Sequence, residues 1–226
     1  MNQLKKNKIN ILVVDDHPLV RDAIANHLQK QSDLNIIAEA ADGEEAVRIA
    51  LKLIPDVIIM DIGISKLNGV EATRQIKVKH PDMIVLVLSV YEDIDHITKA
   101  LDAGASGYLT KGIFGEEISN AVRAVVSGES VLPRKLLPLL LKRSVRNISK
   151  YSSEHENSIL TERELEILKL AAMGLSNQDI AQELNLSLRT IKGYFAEIFS
   201  KFNVTSRTAA VILALKSDLF SLDDIS

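Results

Sequence analysis

A chain of 226 residues with no cysteine cannot form disulfides, thiolate metal sites or a cysteine nucleophile. Its 46% apolar content suffices for a buried core in one or two soluble domains. A formal net charge of −3 denies it a general basic attraction to nucleic acid, so a DNA-binding reading needs motif geometry.

The first ten residues carry Lys5, Lys6 and Lys8. The apolar run that follows, residues 9–14, is too short for a secretion signal and ends in Asp15-Asp16. No apolar run approaches the roughly 18–20 residues of a membrane span, so a cytoplasmic, soluble protein with no membrane contact is expected. In chain order, the first strand is predicted at 9–14. After Pro18 a helical stripe of Val20, Ala23, Ile24 and Leu28 follows. A second strand at 36–40 leads through Asp42-Gly43 to the stripe Val47, Ala50, Leu51 and Ile54. A third strand at 57–60 follows Pro55, and a fourth at 84–88 follows Asn68-Gly69 and Pro81. A fifth at 107–109 follows Gly104 and leads to the stripe Ile118, Ala121, Val122 and Val125. The first, third and fourth runs are almost continuously apolar, as strands buried on both faces require. Five strands alternating with helices predict an α/β doubly wound parallel five-stranded sheet, flavodoxin-like, with order 2-1-3-4-5.

In such a sheet, ligands bind beyond the carboxyl ends of the strands. Asp15 and Asp16 follow the first strand and Asp61 follows the third, so the expected order brings the three acids together. Like charges in one cleft repel unless a cation joins them, and all-oxygen ligands with open positions suit Mg²⁺. Ser89 ends the fourth strand and Lys111 follows the fifth. A hydroxyl and an ammonium beside a metal-bound carboxylate form a constellation for accepting and holding a phosphoryl group. Each residue alone has a blander reading: a helix cap for Asp15-Asp16 or Ser89, a turn residue for Asp61, a solvated cation for Lys111. The five histidines show no ligand spacing, and solvated or packed rings are expected.

Residues 9–128 resemble the receiver domain of two-component response regulators. The resemblance rests on Val13-Val14-Asp15-Asp16-His17, Met60-Asp61, Asn68-Gly69, Leu88-Ser89, Gly104-Ala105 and Gly107-Tyr108-Leu109-Thr110-Lys111. It implies that Asp61 is the phospho-acceptor. It implies that Asp16, Asp61 and the Gly63 carbonyl bind Mg²⁺ directly and Asp15 through water. Ser89 and Tyr108 would be the switch pair, with Tyr108 repacking inward on phosphorylation, and Lys111 would contact the phosphoryl oxygens. One stretch departs from the pattern. The loop after Asp61 usually carries proline four residues on, and here it reads Gly63-Ile64-Ser65-Lys66-Leu67. Losing proline and adding glycine predicts a looser loop.

Beyond Gly128 the alternation stops. Residues 131–155 hold six basic residues against one acid. They include Pro133, Pro138 and a Leu-rich stretch at 136–145, with room for one short helix. A polar segment at 147–157 follows. A linker over 131–157 is expected, separating a domain at 1–130 from one at 158–226. Lys142, Arg143 and Arg146 suit either a solvated tether or docking on the acidic first domain, which carries 14 basic and 19 acidic residues.

From Thr161 the pattern is helical. Thr161 with Glu164 reads as a capping box, Leu165, Leu168 and Ala172 as a buried stripe, and Gly174 as a stop. Ser176 with Asp179 starts a second helix with Ile180, Ala181 and Leu184 inward, and Asn185 ends it. Ser187 caps a third, whose Ile191, Phe195, Ile198 and Phe202 face the core. Arg189, Lys192, Gly193, Ala196 and Ser200 lie opposite. Two helices joined by a tight turn, the second newly capped, make a helix-turn-helix pattern. A three-helix protein-interaction module would show similar periodicity. Residues 159–216 resemble the LuxR-type helix-turn-helix of the NarL/FixJ response regulators. The matching stretches are Leu160-Thr161-Glu162-Arg163-Glu164, Gly174-Leu175-Ser176-Asn177-Gln178-Asp179-Ile180-Ala181 and Ser187-Leu188-Arg189-Thr190-Ile191-Lys192, with Val204, Ser206, Arg207 and Thr208 further on. That resemblance implies base-facing Lys192, Gly193 and Ala196, phosphate contacts by Arg189, Thr190 and Arg207, and dimerisation through a last helix at 208–216.

The expected function is therefore a phosphorylation-controlled DNA-binding transcription regulator and not an enzyme. Its partners would be a sensor histidine kinase, DNA and a second copy of itself. A receiver that takes no phosphate and works by protein contacts is the alternative. A Mg²⁺-dependent phosphohydrolase would need a second acid two residues after the nucleophile, where Gly63 stands.

Overall fold

Strand-forming apolar runs punctuated by capped helices produce ten alternating elements in the first 126 residues: β1 (Ile9–Val14), α1 (Pro18–Gln29), β2 (Leu34–Ala40), α2 (Gly43–Leu53), β3 (Val57–Asp61), α3 (Gly69–Lys79), β4 (Ile84–Ser89), α4 (Ile94–Asp102), β5 (Gly107–Thr110) and α5 (Glu116–Val126). The computed structural model describes residues 8–91, 93–113, 115–129, 131–132, 160–204 and 206–220. All four strand pairings are parallel, and the order is β2-β1-β3-β4-β5, as expected from the sequence. Side chains alternate across the pleat. Leu12, Val14, Ile58, Met60, Val85 and Val87 join one core cluster, with Ala46 and Ala50 of α2, Ala72 and Ile76 of α3 and Ile97 of α4. Ile11, Val13, Val57, Ile59 and Leu86 join the other, with Ile24 and Leu28 of α1 and Ile118, Ala121, Val122 and Val125 of α5. Val14 pairs with Met60, so the residues that follow them, Asp15 and Asp61, end adjacent strands.

Two of the predicted stripes shift by a residue or more. In α1 the buried alanine is Ala25, while Ala23 is exposed. Ile54 lies past the end of α2 with a left-handed φ of 47° and its side chain is exposed. The helix runs only to Leu53 because Pro55 disfavours a helical conformation at the residue before it.

On α3, Lys77 is buried, 7% exposed, and its ammonium donates to the Pro81 carbonyl at 2.8 Å. Burial lowers its pKa to about 8, with the Asp82 charge acting in the opposite direction. Between that value and the ordinary lysine value near 10.4, the unfolded chain binds a proton that the folded one has lost, so stability rises with pH in this window. Lys77→Met is expected to raise the unfolding free energy at pH 7 by about 1–3 kcal/mol. It should also flatten the rise between pH 8 and 10. Urea unfolding across that pH range checks both.

Among the described residues four helices follow: α6 (Glu162–Ala172), α7 (Asn177–Glu183), α8 (Leu188–Phe202) and α9 (Arg207–Lys216). Thr161–Glu164 and Ser176–Asp179 both form capping boxes, and Ser187 accepts from the Thr190 amide at 3.0 Å. Gly174 (φ 88°) and Asn185 (φ 56°) take the left-handed conformations that end α6 and α7. Ile167, Leu168, Ile180, Ile191, Phe195 and Ile198 form the shared core with Ala210 and Ala214 of α9. The predicted short helix and the basic cluster Lys142, Arg143 and Arg146 lie outside the described residues.

Candidate functional site

The carboxyl ends of β1, β3 and β5 converge on one acidic pocket. Asp15 and Asp61 are 1% and 4% exposed, and Asp16 is half-buried. Lys111 Nζ lies 2.6 Å from Asp61 Oδ2 and 2.7 Å from Asp15 Oδ2. Burial works against the Lys111 charge, but the two carboxylates outweigh it and raise its pKa above the ordinary lysine value. The Gly63 amide donates to Asp61 Oδ1 at 3.1 Å. The His17 amide donates to Asp15 Oδ1 at 2.9 Å, and Arg21 Nη1 donates to the Asp15 carbonyl at 2.7 Å. One lysine thus faces three carboxylates, leaving the pocket negative.

The donor set fits a hard cation. Asp15, Asp16, His17 and Asp61 each present a ligand atom, all within 4.8 Å of one another. Asp15 Oδ2 and Asp16 Oδ1 are buried without a hydrogen bond of adequate geometry, although Lys111 Nζ and His17 Nδ1 each stand 2.7 Å away. Buried carboxylate oxygens with lone pairs to share, beside a water-accessible glycine, are what an oxygen-ligated divalent ion requires. His17 is the group that sequence reasoning missed. Its ring is exposed but leans on Asp16, and adjacency to Asp16 in the chain was the available signal.

Ser89 is buried at the end of β4, and its Oγ accepts from the Tyr91 amide at 3.1 Å, which leaves its own proton to donate. Tyr108 is fully buried and its hydroxyl donates to the Tyr91 carbonyl at 2.8 Å. It therefore already occupies the inward position expected only after phosphorylation. The cause is packing between elements: Tyr108 joins the core cluster that also holds Ile97 and Val87, and its hydroxyl finds the Tyr91 carbonyl.

The loop after Asp61 is more tethered than its composition predicts. The Gly69 amide donates to Ile62 O at 3.1 Å, Ile62 and Ile64 are buried, and Lys66 Nζ lies 2.6 Å from Asp42 Oδ2. Missing proline is offset by tertiary contacts.

On α8, Arg189, Thr190, Lys192, Gly193 and Ala196 are all exposed, while Ile191, Phe195 and Ile198 are buried. Nothing lies within 4 Å of a Cβ added at Gly193. Of this face, Lys192 and Ala196 line a cleft of ≈ 930 Å³ together with Ser200 and with Asp82, Val126 and Glu129 of the first domain; Arg189, Thr190 and Gly193 lie outside it. Asn177 Nδ2 donates to the Ser127 carbonyl at 2.6 Å across the domains. Ile212 of α9 packs against the core of the first domain.

Arg207 departs from expectation. It is 5% exposed, and its guanidinium donates to the carbonyls of Ala171 at 3.0 Å and Leu175 at 2.5 Å and to Asn177 Oδ1 at 3.2 Å. It also stacks over the Phe195 ring, 5.3 Å from the centroid. Burial lowers its pKa to about 10, so it stays charged at neutral pH. Its fork is used inside the domain, on carbonyls at the end of α6, and not on an outer surface. Glu164 forms the capping box read from the sequence, but its burial and its pairing with Lys201 Nζ at 2.6 and 2.7 Å were not legible there.

Residues 11–123 match the response regulator receiver domain, and residues 158–214 match the bacterial regulatory proteins of the luxR family. The chain is 40% identical to the transcriptional regulatory protein LiaR of Bacillus subtilis, over 93% of this chain and 99% of that one. It is 38% identical to the transcriptional regulatory protein DegU of Brevibacillus brevis, over 95% and 96%. Among solved structures, the response regulator ChrA of a heme-sensing two-component system is similar, with a TM-score of 0.50 at 32% identity over 95% of this chain and all of that one. Among the described residues, no helix is long and apolar enough to cross a membrane.

Proposed function

Because the chain belongs to the two-component response regulators that join a receiver domain to a LuxR-type DNA-binding domain, we propose that Asp61 accepts a phosphoryl group from a sensor histidine kinase and thereby controls DNA binding in the cytoplasm. The observation that carries this reading is the pocket of Asp15, Asp16, Asp61 and Lys111 on the same chain as a helix-turn-helix with an exposed basic face. On this reading the receiver spans 1–130, the tether 131–157 and the DNA-binding domain 158–226.

A carboxylate oxygen of Asp61 attacks the phosphorus of a phosphohistidine. The P–N bond breaks, its electron pair stays on the imidazole, and an acyl phosphate forms on Asp61. Asp16, Asp61 and the Gly63 carbonyl would hold Mg²⁺, with Asp15 through water; when bound it offsets the charge of the transferred group. Lys111 lies within 2.6 Å of the acceptor and is poised to neutralise a phosphoryl oxygen. Ser89 has a proton to donate to another. Because Tyr108 is already inside, the switch acts through Ser89 and the β4–α4 turn, whose Tyr91 ties both side chains together. The turn leads into α4, and α9 lies on α4. A shift there frees α9 for pairing with a second copy and turns the α8 face from the receiver to DNA, where two copies read two half-sites.

Incubation of the full chain with acetyl phosphate and Mg²⁺, read by intact mass, tests the acceptor chemistry; a chain that stays unmodified contradicts it. DNA reading has its own test. Lys192→Ala is expected to weaken binding to a selected operator by about 1–3 kcal/mol if it meets a base edge. Arg189→Ala should flatten the salt dependence by about 0.9 log units per log unit of salt if it meets a phosphate. Operator affinity and salt slope unchanged in both variants would remove the recognition-helix assignment.

A further inference from the structure

The loop joining β3 to α3 holds an unusual residue in an unusual conformation. Lys66 has φ 60°, a left-handed backbone that costs an L side chain roughly 1–2 kcal/mol and that glycine adopts freely. A lysine kept there must earn its position through its side chain. Its ammonium lies 2.6 Å from Asp42 Oδ2, while Asp42 Oδ1 accepts from the Glu45 amide at 2.9 Å and caps α2. The loop and the helix end also touch closely: a Cβ on Gly43 would stand 1.9 Å from the Leu67 carbonyl oxygen. Ser65 replaces the usual proline one residue earlier, so the rigidity that a ring would supply is missing.

We infer that Lys66 is a positioning residue for the phospho-acceptor site: by bonding to Asp42 it staples the β3–α3 loop to the N-terminus of α2 and holds the Gly63 backbone beside Asp61. The loop is then anchored at Gly63 itself, by its amide on Asp61 at 3.1 Å, and three residues later, by Lys66 on Asp42 at 2.6 Å. Between these anchors Ile64 is sunk in the core. The staple sets the orientation of the Gly63 carbonyl, one of the oxygens assigned to the cation. It does its work before any cation arrives, because both partners belong to the protein. This inference rests on the assignment of Asp61 as acceptor.

The decisive variant is Lys66→Gly in the full chain, since glycine relieves the left-handed backbone while removing the staple. Asp42→Asn removes the charge and keeps a helix-capping residue. Both are expected to unfold at close to the parent temperature. In metal-free protein, amide hydrogen exchange over residues 62–67 should become about two- to fivefold faster, the range open to an exposed ion pair. The Mg²⁺ concentration that half-saturates the Gly63 amide shift in NMR should rise by a similar factor, about two- to fivefold. Lys66→Arg should restore parental values, and Ser65→Pro added to Lys66→Gly should recover most of the loss. Unchanged exchange and unchanged Mg²⁺ affinity in both Lys66→Gly and Asp42→Asn would overturn the inference. So would losses that follow thermal stability and are not recovered by Lys66→Arg. A parent protein that acetyl phosphate does not label overturns the Asp61 assignment itself, whereas a labelled parent with unaltered variants overturns the staple alone.

Discussion

Asp61→Asn is expected to abolish labelling by acetyl phosphate while leaving the protein folded. Among the described residues, the carboxylate at the end of β3 alone is held by both Lys111 Nζ and the Gly63 amide. Asp15 is also within 2.7 Å of Lys111, but its other oxygen accepts from the His17 amide. The amide of asparagine is no nucleophile, so no acyl phosphate can form there. Lys111 keeps Asp15, and one like charge leaves a crowded pocket, so the thermal midpoint should not fall. Asp16→Ala should behave differently, labelling slowly and losing its dependence on Mg²⁺, because on the proposed assignment Asp16 would contribute an oxygen to the cation and not the attacking atom. Intact mass with and without Mg²⁺ reads all three proteins. A labelled Asp61→Asn chain would reassign the acceptor.

The second large effect concerns Arg207. Arg207→Met is expected to destabilise the helix-turn-helix domain by about 2–4 kcal/mol, because it strips a buried charged donor from two carbonyls and an amide oxygen. The bonds at risk are those to Ala171, Leu175 and Asn177. Asn177 also bridges to Ser127, so contact between the domains should weaken as well. Below its unfolding temperature, the variant should keep the parental salt slope in DNA binding. An arginine on a phosphate would instead give up about 0.9 log units per log unit of salt. Denaturant unfolding together with binding at three salt concentrations separates the two roles. Parental stability with a flattened slope would restore Arg207 to the DNA surface.

Local patterns carried far in this chain. Runs such as Ile9–Val14 and residues 57–60 are almost continuously apolar because both faces of a central parallel strand are covered, and that requirement is written residue by residue. Caps are equally local: Thr161 with Glu164, Ser176 with Asp179 and Ser187 satisfy amides within the same turn, so their spacing alone locates three helices. The acidic triad was readable for a related reason. Its members sit at strand ends, and strand order follows from chain handedness and connection length.

Other features depend on partners distant in sequence, and only the tertiary structure decided them. Lys66 meets Asp42 across 24 residues, Lys201 meets Glu164 across 37, and Arg207 meets Ala171 across 36. No periodicity links such pairs, and side-chain charge gives no hint of which cation will be buried. Arg207 in a helix's first turn looks solvent-bound until the fold brings the end of α6 over it. Lys77 looks like one more charge on a helix face until the Pro81 carbonyl and the surrounding core enclose it. The inward Tyr108 and the α8 face turned towards the receiver are likewise outcomes of packing between elements. The chain by itself determined element types, strand order, helix caps and the place of the acidic pocket, because those follow from steric periodicity and short-range hydrogen bonding. Which charges became internal, and which surfaces the two domains present to each other, was decided by burial and desolvation, which exist only once distant segments are in contact.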